Sequence, residues 1–113
     1  MPGKQIFQVA LETPEGLRSL KCGEDEYIWN AAARNDIALP AMCHQGRCLS
    51  CAAKLLSGTV EHDHPDTYFD QDLAAGYILP CRAQPRSDLR ILTDQADAMR
   101  AHRKALGLPA PYA

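Results

Sequence analysis

The chain has 113 residues, a hydrophobic share of 46% and a formal net charge of −2, which suits one domain with at most a terminal appendage. No apolar run approaches the roughly 20 residues of a bilayer-spanning helix, so no membrane insertion is expected, and the acidic balance argues against nucleic acid as a partner. Five cysteines are an odd number, which excludes a fully paired disulfide framework within one chain. The start, Met1-Pro2-Gly3-Lys4-Gln5-Ile6, has neither a basic-then-apolar leader pattern nor an Arg/Ser-rich transit pattern. The expected setting is the compartment of synthesis, the cytoplasm.

In chain order, residues 4–11 carry Ile6, Phe7, Val9 and Leu11 and read as a first strand. Thr13-Pro14-Glu15-Gly16 is turn chemistry, and residues 17–22 read as the returning strand of a hairpin. The acidic triplet Glu24-Asp25-Glu26 then precedes the Ala-rich segment 27–34, the pattern of a helix start and body. Asn35-Asp36 suits a left-handed helix end, and Leu39-Pro40 terminates the element before a cysteine-rich loop. Residues 51–56 read as a strand stopped by Ser57-Gly58, with Thr59-Val60 beyond. Residues 61–72 are polar, rich in His and Asp, and are expected to form a surface loop with a short helical turn. Tyr77-Ile78-Leu79 leads into Cys81, and residues 89–92 alternate as a last strand. Short strands split by one good helix predict an α+β fold.

Residues 94–106 form a second helix candidate, with Asp94 and Asp97 toward its start and Arg100, Arg103 and Lys104 toward its end. Gly107 followed by Pro109 is a stop signal, and Ala98, Ala101, Ala105 and Leu108 make a thin apolar stripe that predicts its docking face. The expected organisation is a domain over residues 1–93 and a helical extension over 94–113.

Chemistry concentrates in Cys43, Cys48, Cys51 and Cys81. Four residues separate the first two, two separate the second and third, and twenty-nine separate the last pair. C-x4-C-x2-C with a remote fourth cysteine is the spacing of plant-type [2Fe-2S] ligands. A structural zinc site is the competing reading; its cysteines come in two close pairs, and Cys81 has no near partner. Gly46 suits a loop that turns tightly around inorganic sulfide. Cys22 falls outside the pattern and reads as a strand residue with a free thiol.

On these residues the chain resembles a plant-type ferredoxin. The resemblance extends to Glu24-Asp25-Glu26-Tyr27-Ile28, Leu39-Pro40, residues 54–60, Ala75-Gly76-Tyr77-Ile78-Leu79 and Ser87-Asp88, covering roughly residues 4–99. It implies a β-grasp fold, a mixed sheet packed on one main helix. It implies one [2Fe-2S] cluster, with Cys43 and Cys48 on the outer iron and Cys51 and Cys81 on the inner one. The implied function is a monomeric one-electron carrier with no bond chemistry, in the cytoplasm or a plastid stroma, taking electrons from a reductase or photosystem to soluble enzymes. Its partners would be ferredoxin-dependent reductases or oxidoreductases docking on an acidic face near the cluster. Steering charge would come from Glu24, Asp25, Glu26, Asp63, Asp66, Asp70 and Asp72, and rim contacts from His44, Gln45, Arg47, Tyr68 and Phe69. A redox- or iron-sensing regulatory protein, using the extension to bind a partner, is the alternative.

The chain departs from that family at the rim and docking face. His44-Gln45-Gly46-Arg47 replaces the usual Arg-Ala-Gly-Ala or Arg-Ala-Gly-Ser, and a cation at Arg47 favours the reduced state. The acidic helix end, loop aromatic and C-terminal glutamate used toward ferredoxin–NADP reductase fall on Ala33 and Arg34, Thr67, and Ala96. Weak coupling to that reductase and a specialised partner set are expected.

Overall fold

The structure, a computed structural model, describes residues 5–39, 51–62 and 68–108. It begins with a hairpin, strands β1 (Ile6–Thr13) and β2 (Gly16–Gly23), paired from Ile6↔Gly23 to Thr13↔Gly16. The turn closes because Thr13 Oγ1 accepts the Glu15 N–H (3.2 Å) and donates to the Gly16 carbonyl (2.7 Å). Gly16 there has φ 119°, a left-handed conformation that glycine adopts without steric cost. Side-chain alternation turns Val9, Leu11, Leu20 and Cys22 inward and leaves Leu17 and Lys21 outside.

Helix α1 (Ile28–Arg34) lies against this inner face through Ile28, Ala31 and Ala32, all fully buried. Two alanines at the contact allow a close approach of helix to sheet. The acidic triplet lies before the helix, whose first turn has no acidic residue. Glu26 instead accepts the Gly23 N–H (3.0 Å) and the Arg34 guanidinium (2.8 Å), tying the end of β2 to the far end of α1. The helix closes as expected, with Asp36 at φ 60°.

Next come β3 (Ala53–Ser57), β4 (Val60–His62), α2 (Asp70–Ala74), β5 (Tyr77–Ile78), a 3-10 turn (Pro80–Arg82), β6 (Ala83–Pro85), β7 (Leu89–Leu92) and α3 (Ala96–Ala105). The main sheet has the order β2-β1-β7-β3-β5; β1 and β7 run parallel and the other neighbours antiparallel. A second, two-stranded sheet pairs β4 with β6. This is an α+β fold of the β-grasp type, a mixed sheet holding one main helix.

Two expectations need correction. Residues 61 and 62 are strand, drawn into β4 by pairing with β6, and His62 is buried. The docking face of α3 is also not the alanine stripe: Ala101 and Ala105 are exposed, while Met99 and Arg103, four residues apart, are fully buried. Met99 fills the apolar wall beneath the helix, and Arg103 meets a buried carboxylate on α2.

Candidate metal centre

Cys51, two residues before β3, and Cys81, in the 3-10 turn, come together, both nearly buried, with their Sγ atoms 3.2 Å apart. A disulfide bond measures about 2.05 Å, so these are two separate thiols. Two thiolates on one tetrahedral metal at about 2.3 Å each stand about 3.7 Å apart, a spacing these side chains reach by small rotations. Soft thiols, paired and shielded from water, fit one half of a four-cysteine iron–sulfur site. Cys43 and Cys48, with His44, Gln45, Gly46 and Arg47, lie outside the described residues. Among the described residues, no group of three or more His, Cys, Asp or Glu side chains is arranged to hold a metal ion.

Each flank of the site is tied down. After Cys51, the Ala52 carbonyl accepts the Gln95 N–H (2.9 Å), which joins the segment before α3 to β3. Before Cys81, the Tyr77 carbonyl accepts the Tyr68 hydroxyl (2.7 Å), and the Leu79 N–H donates to His62 Nε2 (3.0 Å). Before Pro40, the Trp29 indole N–H donates to the Leu39 carbonyl (3.0 Å) and fixes where the chain enters the loop. Ala52, Tyr68, Leu79 and Met99 pack with the two thiols as one buried cluster, joined by half-buried Trp29 and Tyr77. The wall is mostly apolar and closely packed.

Behind Met99 lies a buried ion pair. Arg103 Nη2 is 2.7 Å from Asp72 Oδ2, both side chains have no solvent exposure, and the Arg103 guanidinium sits 5.0 Å from the Phe69 ring centroid. Asp72 Oδ2 also accepts the Phe69 N–H (3.0 Å), completing the first turn of α2. His102 Nε2 stands 4.0 Å from Asp72 Oδ1, with its ring tilted against Tyr77.

These contacts change several sequence assignments. Tyr68 is buried, and burial raises its phenol pKa; it is a wall residue and not a rim contact. Asp72 cannot steer a partner, because it is buried and paired. Glu26 is held by Arg34, whose hydrogen bond lowers the carboxylate pKa. Asp25 and Asp70 are exposed and Glu24 is half-buried, while Asp63 and Asp66 lie outside the described residues. Cys22 sits in the other buried cluster, with the hairpin and α1; burial pushes its thiol up to about 12. His62, Trp29 and the Asp72–Arg103 pair were not anticipated. Val60 and His62 share one face of β4, but three residues are too few for that alternation to be read from the sequence.

The family model of the 2Fe-2S iron-sulfur cluster binding domain matches residues 12–86. A ferredoxin-2 of a Synechococcus species is 38% identical over 95 residues, 84% of this chain and 90% of that protein. The fold superposes on pectocin M2 with a TM-score of 0.73 at 30% identity, covering 82% of this chain and 34% of that one. It also superposes on the ferredoxin reductase in carbazole 1,9a-dioxygenase, with a TM-score of 0.69 at 30% identity, over 81% of this chain and 29% of that one. The chain thus spans about a third of each of these longer proteins.

Thiol pair, β-grasp sheet and family match agree, and the chain belongs to the plant-type [2Fe-2S] ferredoxins. It is a one-electron carrier with one [2Fe-2S] cluster, in a family of electron-transfer proteins. Among the described residues, no helix is long and apolar enough to cross a membrane.

Proposed function

We propose that Cys43, Cys48, Cys51 and Cys81 hold the cluster, and that the protein passes electrons from a reductase to soluble acceptor enzymes without bond chemistry of its own. The contact between the Cys51 and Cys81 thiols carries this reading. A [2Fe-2S] cluster bound there supplies one-electron redox chemistry. The chain's own contribution is to hold the inner thiols in place and keep water from them. Burial beneath Leu79, Tyr68 and Met99 disfavours added negative charge, which lowers the potential; a cation at Arg47 acts in the opposite direction.

The likeness to a reductase found in a dioxygenase system supports partners of the reductase and oxygenase kind. Of the acids assigned to steering, Asp25 and Asp70 are exposed and Glu24 is half-buried, and in this reading they contribute to an acidic docking face on a monomer in the cytoplasm or a stroma. Residues 1–93 form the electron-transfer domain in this reading, and 94–113 an extension whose helix α3 covers the inner thiols through Met99. Turning Arg103 inward leaves Lys104 as the exposed cation beside half-buried His102, which weakens the alternative of a partner-binding sensor tail.

Stopped-flow reoxidation of the reduced protein tests the reading. Ferredoxin–NADP reductase with NADP+ should reoxidise it slowly, and an oxygenase-type acceptor quickly. Rates with the NADP reductase equal to those of a typical ferredoxin would overturn the specialised partner set.

A further inference from the structure

We propose that His62 is a positioning residue for the inner half of the site, an inference that rests on Cys51 and Cys81 being cluster ligands. His62 ends β4 and is nearly buried. Its backbone is in register with Ala83, two residues after Cys81, while its Nε2 accepts the N–H of Leu79, two residues before Cys81. One residue therefore straddles the turn that carries the thiol.

The turn needs this help. At Ile78 the chain leaves its pairing with β3, so the buried Leu79 N–H has no sheet partner. Pro80 has no N–H to offer as a substitute anchor, and the Arg82 N–H already donates to the Leu79 carbonyl (2.8 Å). Accepting at Nε2 requires a neutral imidazole with its proton on Nδ1. The ring is stacked on Tyr68, with centroids 3.8 Å apart and planes within 9°, and the Tyr68 hydroxyl holds the Tyr77 carbonyl. The stacked rings thus grip peptide groups on both sides of Ile78 and set the direction in which the chain delivers Cys81 toward Cys51.

The test uses the purified cluster-loaded protein and the variants His62→Gln and His62→Leu, with Val9→Ala on β1 as a control destabilised away from the site. Measured quantities are the EPR g-values of the reduced state, the midpoint potential, and the rate of visible bleaching with a chelator. A glutamine amide oxygen can accept the Leu79 N–H, so His62→Gln should retain the parent EPR line shape and potential. His62→Leu should shift both and bleach about tenfold faster or more, whereas Val9→Ala leaves the g-values unchanged. Parent-like g-values, potential and bleaching in His62→Leu would overturn the proposal, as would His62→Gln behaving like His62→Leu. If His62→Leu yields no folded protein, 15N NMR of the parent decides: an unprotonated Nε2 supports the proposal and a protonated one overturns it. Absence of iron and acid-labile sulfide from the parent would instead overturn the ligand assignment on which the proposal rests.

Discussion

Replacing Arg103 by leucine removes the cation from a fully buried pair. The remaining Asp72 carboxylate has no exposure and keeps the Phe69 N–H as a hydrogen-bond donor. Two unit charges about 4 Å apart attract by about 4 kcal/mol at an effective dielectric constant of about 20. Breaking a buried pair from one side costs about 3–5 kcal/mol, because the other charge is stranded. That is a large part of the roughly 5–15 kcal/mol that stabilises a domain of this size. The lost anchor also loosens α3, whose Met99 covers the inner thiols. Cluster loss makes unfolding irreversible, so the assay is the rate of visible bleaching at fixed denaturant, for parent, Arg103→Leu, Asp72→Asn and the double variant. Each single variant should bleach roughly 100-fold faster or more if the cost falls on the unfolding rate. The double variant should be slower than the product of the two effects, with a coupling of about 2 kcal/mol or more. Single effects under about fivefold, or simple additivity, would refute the argument that this pair latches α3.

Other consequences are more local. Gly58 has φ 95°, and a Cβ there would stand 2.2 Å from the Asp88 carbonyl oxygen, so Gly58→Ala should cost at least about 2–3 kcal/mol, read as faster bleaching. With its thiol pushed up to about 12 by burial, Cys22 is protonated at pH 8 and should resist iodoacetamide until the chain unfolds, as mass spectrometry would show. An unfolded thiol ionises at about 8.5 and the folded one at about 12, so stability falls as pH rises between them. Cys22→Ala should flatten that decline, and an unchanged slope would count against it. Trp29→Phe removes the donor to the Leu39 carbonyl, a loss of about 0.5–1.5 kcal/mol that should appear as roughly two- to tenfold faster bleaching.

Much of the fold was legible because its signals are local. Thr13-Pro14-Glu15-Gly16 and the alternation on either side define the first hairpin, and Asp36 closes α1 in the left-handed conformation. The local C-x4-C-x2-C run pointed to the cofactor for the same reason, with the remote Cys81 completing the pattern. Three-residue strands such as β4 and β6 leave too short a pattern to read, and Pro85 in β6 argues against a strand at all. Counting apolar residues on α3 selected the alanine stripe, although the helix docks through an arginine. Its partner, Asp72, lies 31 residues away, and no periodicity links the two. Tyr68 looked like a surface aromatic because a polar segment precedes it, yet His62 stacks on it inside the wall.

One [2Fe-2S] cluster per chain should take up a single electron. Stepwise anaerobic reduction of the purified protein, followed by quantitative EPR beside iron and acid-labile sulfide analysis, tests it most directly. The expected result is about two irons, about two sulfides and, at full reduction, about one unpaired spin per chain. One zinc per chain without sulfide, and no EPR signal on reduction, would contradict it.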